Sequence, residues 1–131
     1  MGQLPINAML TLDTNIVIGH LKDESGIIAA IRAWRTQGEA FCISTITELE
    51  LLSLPTLNAQ TIEEIDLFLK SLHIIPVDSA VARIAADLRR RYRLRTPDSA
   101  IAATAIFTQS ALVTRDLDHF NLIKELKIKS I

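Results

Sequence analysis

Carboxylates at the ends of apolar runs are the first residues of this chain that need a chemical reason. The stretch AMLTLDTNIVIGH, Ala8 to His20, is apolar up to Leu12, polar at Asp13, Thr14 and Asn15, and apolar again from Ile16. An ionised carboxylate beside a core is costly unless it is paired or binds a metal. Asp116 stands in a similar relation to a second run, Ala111–Thr114, with only Arg115 between. Asp98 follows Thr96 and Pro97, which read as a helix cap and a proline at the first helical position. In that first turn the helix dipole favours the ionised acid. In STITELELLSLP two glutamates compete for an inward position. At about 100° per residue, Glu50 falls roughly 40° from Ile46 and borders a face formed by Ile46 and Leu49. Glu48 falls roughly 200° away and is expected to be solvated. An acidic site without sulfur suits a hard cation such as Mg²⁺ or Mn²⁺. Crowded carboxylates repel and raise one another's pKa, and a divalent cation removes that penalty. Such a cation can activate water and neutralise charge building on a phosphodiester under attack.

Each acid also has a plainer explanation. Asp13 is good capping chemistry for a helix starting at Thr14. Asp98 improves a helix N-terminus, and Asp116 can close a turn. Their joint position is the stronger argument, and it depends on the elements that carry them. AMLTLD, AFCIS, HIIPV and ALVT read as strands, with KIKSI as a fifth. Helices fill the intervals. One is capped by Ser25 and runs to about Gln37, with Ile27, Ile28, Ile31 and Trp34 on one face. Another starts from a Thr61–Glu64 capping box and runs to about Leu72. A third is capped by Asp78 or Ser79 and reaches about Tyr92. This alternation predicts a three-layer α/β/α sandwich around a mostly parallel four- to five-stranded sheet. Such sheets bind ligands beyond the carboxyl ends of their strands, near the switch in strand order. Asp13, Ser44 and Thr114 all fall at such ends.

Composition narrows the field without choosing a function. The 131 residues suit one domain with one sizeable core. Formal net charge is −1, so any nucleic-acid site must be local. The single cysteine, Cys42, excludes an intramolecular disulfide framework, fits a cytoplasmic setting and reads as a small buried hydrophobe. No apolar run is long enough to span a membrane. The first residues match neither a signal peptide nor, with Ile6 at the sixth position, a myristoylation site. His20, His73 and His119 stand apart, without zinc-ligand spacing.

Taken in order, LDTN, STITELEL, TPDSAIAATAI and LVTRD resemble the PIN-domain family, and within it the VapC-type toxin nucleases. The resemblance runs from about Met9 to Phe120, so the chain is read as a single PIN-like nuclease domain over residues 1–131. It implies a metal-dependent endoribonuclease that leaves a 5′-phosphate and a 3′-hydroxyl. It also implies an RNA substrate, a separate antitoxin polypeptide and a homodimer. Carried over residue by residue, the metal-binding catalytic acids are Asp13, Glu50, Asp98 and Asp116. Asn15, Ser44 and Thr114 match polar positions expected to orient those acids by hydrogen bonds. The family's fourth acid varies, and Asp118 competes with Asp116. Where relatives often carry a further acid before the phenylalanine, this chain has His119.

The basic cluster RRRYRLR, Arg89 to Arg95, leads straight into Asp98. It suits phosphate contacts through Arg93 and Arg95, with Arg115 a similar candidate and Tyr92 a stacking surface for a base. Arginines in a last helical turn also simply complement the dipole. Two rivals to the nuclease remain. A catalytically silent PIN-like interaction module would keep the fold without the reaction. A receiver-like phosphoacceptor would need adjacent acids after the first strand and a late lysine. Leu12 precedes Asp13, however, and no lysine occurs between Lys70 and Lys124.

Overall fold

The computed structural model describes residues 9–131. Ala8, the expected first residue of the leading strand, lies outside the described residues, as do the residues weighed above for a signal peptide or myristoylation. The strands are β1 (Met9–Leu12), β2 (Ala40–Ser44), β3 (His73–Ile75), β4 (Ala111–Thr114) and β5 (Ile128–Ser130). The helices are α1 (Thr14–Leu21), α2 (Ser25–Thr36), α3 (Thr45–Leu52), α4 (Ala59–Leu69), α5 (Ser79–Tyr92), α6 (Thr96–Phe107) and the short α7 (Leu117–Phe120). The strands form one sheet in the order β3-β2-β1-β4-β5, and every pairing is parallel. The expected α/β sandwich with a parallel sheet is therefore the observed fold.

Apolar side chains cover both faces of the sheet, as a parallel sheet requires. On one face Leu10, Leu12 and Val113 pack with Ile16 and Val17 of α1, Ile27 and Ile31 of α2, and Ile65 and Leu69 of α4. On the other, Leu112 packs with Val81 and Leu88 of α5, Ile101 and the alanines of α6, and Phe120. The alternation of Leu112 and Val113 between the two faces follows from the strand's period of two. Helix α6 is buried continuously from Asp98 to Ala105, because its alanines let sheet and helices approach closely. Cys42 is buried as expected, and its sulfur also meets the Thr11 hydroxyl at 3.1 Å.

Three expected caps are displaced by a few residues. Glu24, not Ser25, is the N-cap of α2, and its side chain makes no capping bond. Asn58 caps α4 by accepting from the Thr61 backbone N–H and hydroxyl, so Thr61 is a cap recipient rather than the cap. Arg95 stands at the N-cap of α6, putting Thr96 and Pro97 inside the first turn. Asp78 caps α5 through the Val81 N–H, as one of the two expected alternatives. Strand β3 ends at Ile75, before Pro76, which has no N–H to give a ladder.

The order of strands reverses direction between β1 and β4. From β1 the chain moves outward to β2 and β3, then returns to the far side of β1 for β4. A cleft at the carboxyl ends of these two strands is where such a sheet takes a ligand.

Candidate active site

Strand β1 delivers Asp13 to that cleft, and the turn into α1 holds it there. Its backbone N–H donates to the Val113 carbonyl at 3.0 Å, extending the β1–β4 ladder by one residue. Its Oδ1 accepts from the Thr14 N–H at 2.8 Å, which makes it the N-cap of α1. Its Oδ2 accepts from the Thr114 hydroxyl at 2.7 Å. The plain capping explanation for Asp13 is thus part of its geometry, and it leaves the charge unaccounted for. The residue is 5% exposed, and no ion pair among the described residues involves it. Burial pushes its carboxyl above the usual carboxylate range, opposed by the Thr114 and Thr14 hydrogen bonds and assisted by the charges of Asp98 and Asp116.

A cleft of about 360 Å³ opens over Asp13, and Asn15, Glu50, Arg95, Asp98 and Asp116 also line it. The acids come from four elements far apart in the chain. Glu50, half-buried on α3, receives the Thr14 hydroxyl at 2.7 Å. The same hydroxyl lies 3.0 Å from that of Thr47. The face that turns α3 inward is Thr47 and Leu51, since Leu49 is 60% exposed. Glu50 reaches the cleft from beside that face, so its inward lean does not come from the Ile46–Leu49 face expected above. Asp98 is buried in the first turn of α6, and its Oδ2 accepts from Arg95 Nε at 3.1 Å. Asp116 is half-buried after β4, and its backbone N–H donates to the Thr114 hydroxyl at 2.9 Å. The competing Asp118 is exposed on α7 and does not line the cleft.

The polar neighbours divide by what they touch. Thr114 bridges two acids, bonding the Asp13 carboxylate through its proton and the Asp116 backbone through its oxygen. Ser44 bonds none of the acids; its hydroxyl accepts from the Ile46 N–H and so caps α3, the helix that carries Glu50. Asn15 is exposed on the cleft wall and makes no side-chain hydrogen bond among the described residues. Thr14 was not expected as a positioning residue. Its only signal was its place between Asp13 and Asn15, and the partner it orients lies 36 residues on.

The arginines separate in the same way. Arg95 lines the cleft and is tied to Asp98. Arg93 closes α5 in the left-handed conformation, at φ 56°, and lies exposed outside the cleft lining. Arg91 is held by Asp87 and Glu125. Tyr92 donates its hydroxyl to Glu125 and lies under the Arg91 guanidinium, so its ring and tip are already engaged. Arg115 pairs with Glu24. His119 is not isolated: its ring bonds Asp116, which raises the imidazole above its ordinary pKa.

An oxygen-only donor set around a buried, unpaired carboxylate fits a hard divalent cation. Among the described residues, no three His, Cys, Asp or Glu side chains are already close enough to hold a metal ion. Occupation would therefore require Glu50, Asp98 or Asp116 to close on Asp13. Arg95 stands for part of the missing positive charge by pairing Asp98.

Residues 10–126 match the PIN domain family model. The chain belongs to the PIN-domain family. It is 31% identical to Ribonuclease VapC10 of Mycobacterium tuberculosis over 129 residues, covering 91% of this chain and 91% of the relative. The fold resembles VapBC2 from Rickettsia felis, whose structure was solved bound to a DNA fragment from their promoter. That match has a TM-score of 0.83 and 23% identity, over 94% of this chain and 98% of the other. A toxin–antitoxin complex from Klebsiella pneumoniae matches with a TM-score of 0.77 and 27% identity, over 89% of this chain and 94% of the other.

Proposed function

We propose that this chain is a divalent-metal-dependent endoribonuclease, the toxin of a toxin–antitoxin pair. The observation that carries the reading is Asp13, a buried carboxylate with no cationic partner among the described residues, facing the same cleft as Glu50, Asp98 and Asp116. The naming of VapC10 as a ribonuclease supports RNA as the substrate. The Klebsiella complex supports a separate antitoxin polypeptide. Leu49 and Leu52 on α3 and Ile62 and Leu67 on α4 are exposed, and a protein partner, antitoxin or second copy, would cover such apolar surface.

In this reading Asp13, Glu50, Asp98 and Asp116 would hold Mg²⁺ or Mn²⁺. When bound, the cation supplies activation of water and neutralisation of charge on the phosphodiester. The chain's own residues do the positioning. Thr114 fixes the Asp13 carboxylate and the backbone of Asp116 together, and Thr14 fixes Glu50. Arg95, which pairs Asp98 and lines the cleft, would be placed to meet a phosphate there. Arg115 is a further phosphate contact beside the cleft, and Arg93 contributes at longer range. Asn15 faces the substrate side of the cleft.

The test is RNA incubated with the protein in Mg²⁺ or Mn²⁺, in EDTA, and with Asp13→Asn. Cleavage that requires both cation and Asp13, leaving a 5′-phosphate, is the expected result. A silent interaction module is the second reading, favoured by the acids standing too far apart to hold an ion without closing. Intact RNA under every cation tried would select it.

A further inference from the structure

The acidic cleft continues into a second one. Asn15, Ile18 and Asp116 belong to both, and the extension adds Gly19, Lys22, Glu24 and Arg115. Its two cations come from elements far apart in the chain: Lys22 closes α1, and Arg115 follows β4. They are in different states. Lys22 makes no ion pair among the described residues, while Arg115 is occupied by Glu24.

Glu24 is held in place by the backbone around it. The left-handed turn at Asp23, with φ 58°, brings the Glu24 N–H to the Gly19 carbonyl at 3.0 Å. Gly19 gives the side chain its room: a Cβ there would meet the Glu24 carboxyl carbon at 3.2 Å and Ile27 Cδ1 at 2.2 Å. The carboxylate therefore sits over the α1–α2 turn and reaches across the cleft to Arg115. Both side chains of the pair remain partly open to water, 44% and 41% exposed, and an exposed pair of this kind is weak and screened by salt. A phosphate, which takes arginine through two parallel hydrogen bonds, competes well for the same guanidinium.

We propose that this extension is a flanking phosphate subsite of the RNA track, built from Lys22 and Arg115, in which Glu24 is a built-in competitor that substrate must displace. The inference rests on the endoribonuclease reading and adds a path to it. The RNA backbone leaves the acids over Asn15 and Ile18 and runs past the end of α1. Ile18 offers the ribose or base an apolar contact between the two charged regions. Glu24 lowers affinity for any short anion and rewards a strand long enough to reach both cations.

The test compares single-stranded RNA oligonucleotides carrying one cleavable site with the flanks long on both sides, or truncated to one nucleotide on one side at a time. In Mg²⁺, kcat/KM for the long strand should exceed that for one of the two truncated strands. Lys22→Ala and Arg115→Ala should each shrink that ratio several-fold. Glu24→Gln, which keeps the shape over Gly19 and removes the charge, should lower KM for the long strand several-fold. Fluorescence anisotropy of the uncut long strand with the Asp13→Asn variant gives the same ranking without turnover. If wild-type protein cuts RNA but the ratio is unchanged in Lys22→Ala and Arg115→Ala, the subsite is wrong and the nuclease reading stands. A Glu24→Gln variant with a higher KM, or with RNA affinity unchanged in anisotropy, also overturns it. If wild-type protein cuts no RNA, the reading beneath the proposal fails and the subsite falls with it.

Discussion

At the residue scale, Asp13 concentrates the tension in the molecule. Its geometry is well satisfied, and its charge is not. The sign of the pH effect follows from the raised pKa. The folded protein holds the Asp13 proton more tightly than the unfolded chain does, so ionisation costs stability. That cost is absent below the unfolded value near 3.8, grows as pH rises toward the raised folded value, and stays constant above it. Asp13→Asn keeps an acceptor for the Thr14 N–H and offers its amide to the Thr114 oxygen. Without metal, this variant should melt roughly 2–5 °C above wild type at neutral pH, a gap that closes on acidification, as differential scanning fluorimetry across pH would record. A variant that melts far below wild type would make Asp13 a helix cap and little else. Thr14→Val should leave the fold near its wild-type stability while lowering kcat for RNA about tenfold or more, because Glu50 loses the hydrogen bond that Thr14 gives its carboxylate. Equal rates would remove Thr14 from the positioning of Glu50.

The element scale is where the sequence was easiest and also where it misled. Strands β2 and β4 carry the bounds expected from AFCIS and ALVT, since short apolar runs closed by Ser44 and Thr114 leave little choice. The three caps slipped because several residues in a row had capping side chains or helix-starting character. Asn58 competes with Thr61, and in the fold Asn58 accepts while Thr61 gives both its N–H and its hydroxyl. Asn58→Ala should therefore cost about 1 kcal/mol in urea unfolding, whereas Thr61→Val, which keeps the N–H, should cost less. The reverse order would restore Thr61 as the cap. In α3 the phase argument picked Glu50 over Glu48 for the cleft, and the fold turns Glu50 there, but beside Thr47 and Leu51 rather than Leu49. Period alone finds an apolar stripe, and it cannot tell a core stripe from one left exposed. The Thr14–Glu50 and Glu24–Arg115 contacts were invisible for a different reason. They join residues 36 and 91 apart through side chains, and neither partner is unusual in its own stretch.

At the scale of the whole molecule, topology does the work of assembly. Placing β1 between β2 and β4 brings the carboxyl ends of β1 and β4 together, and with them Asp13, Thr114 and Asp116. Helix α6 then presents Asp98 from its first turn, and α3 presents Glu50 across the cleft. The acids are neighbours without being a closed cage, so in the proposed reading a cation would bind only as the side chains close. A ligand that binds the folded state alone raises its stability by mass action. Mg²⁺ at millimolar concentration should raise Tm by a few degrees in wild type and by less in Asp13→Asn or Asp98→Asn. The lack of a bulk positive charge also has a consequence at this scale. RNA affinity should rest on a few local cations, and its salt dependence should be shallow, with a slope that Arg95→Ala and Arg115→Ala each reduce.

The central claim is that these four acids form a site for a divalent cation. Isothermal titration calorimetry with Mn²⁺ addresses it directly, on wild-type protein and on Asp13→Asn at neutral pH. Saturable binding to wild type, lost or weakened tenfold or more in the variant, is the predicted result. Equal binding to both proteins, or none to wild type at millimolar Mn²⁺, would contradict it.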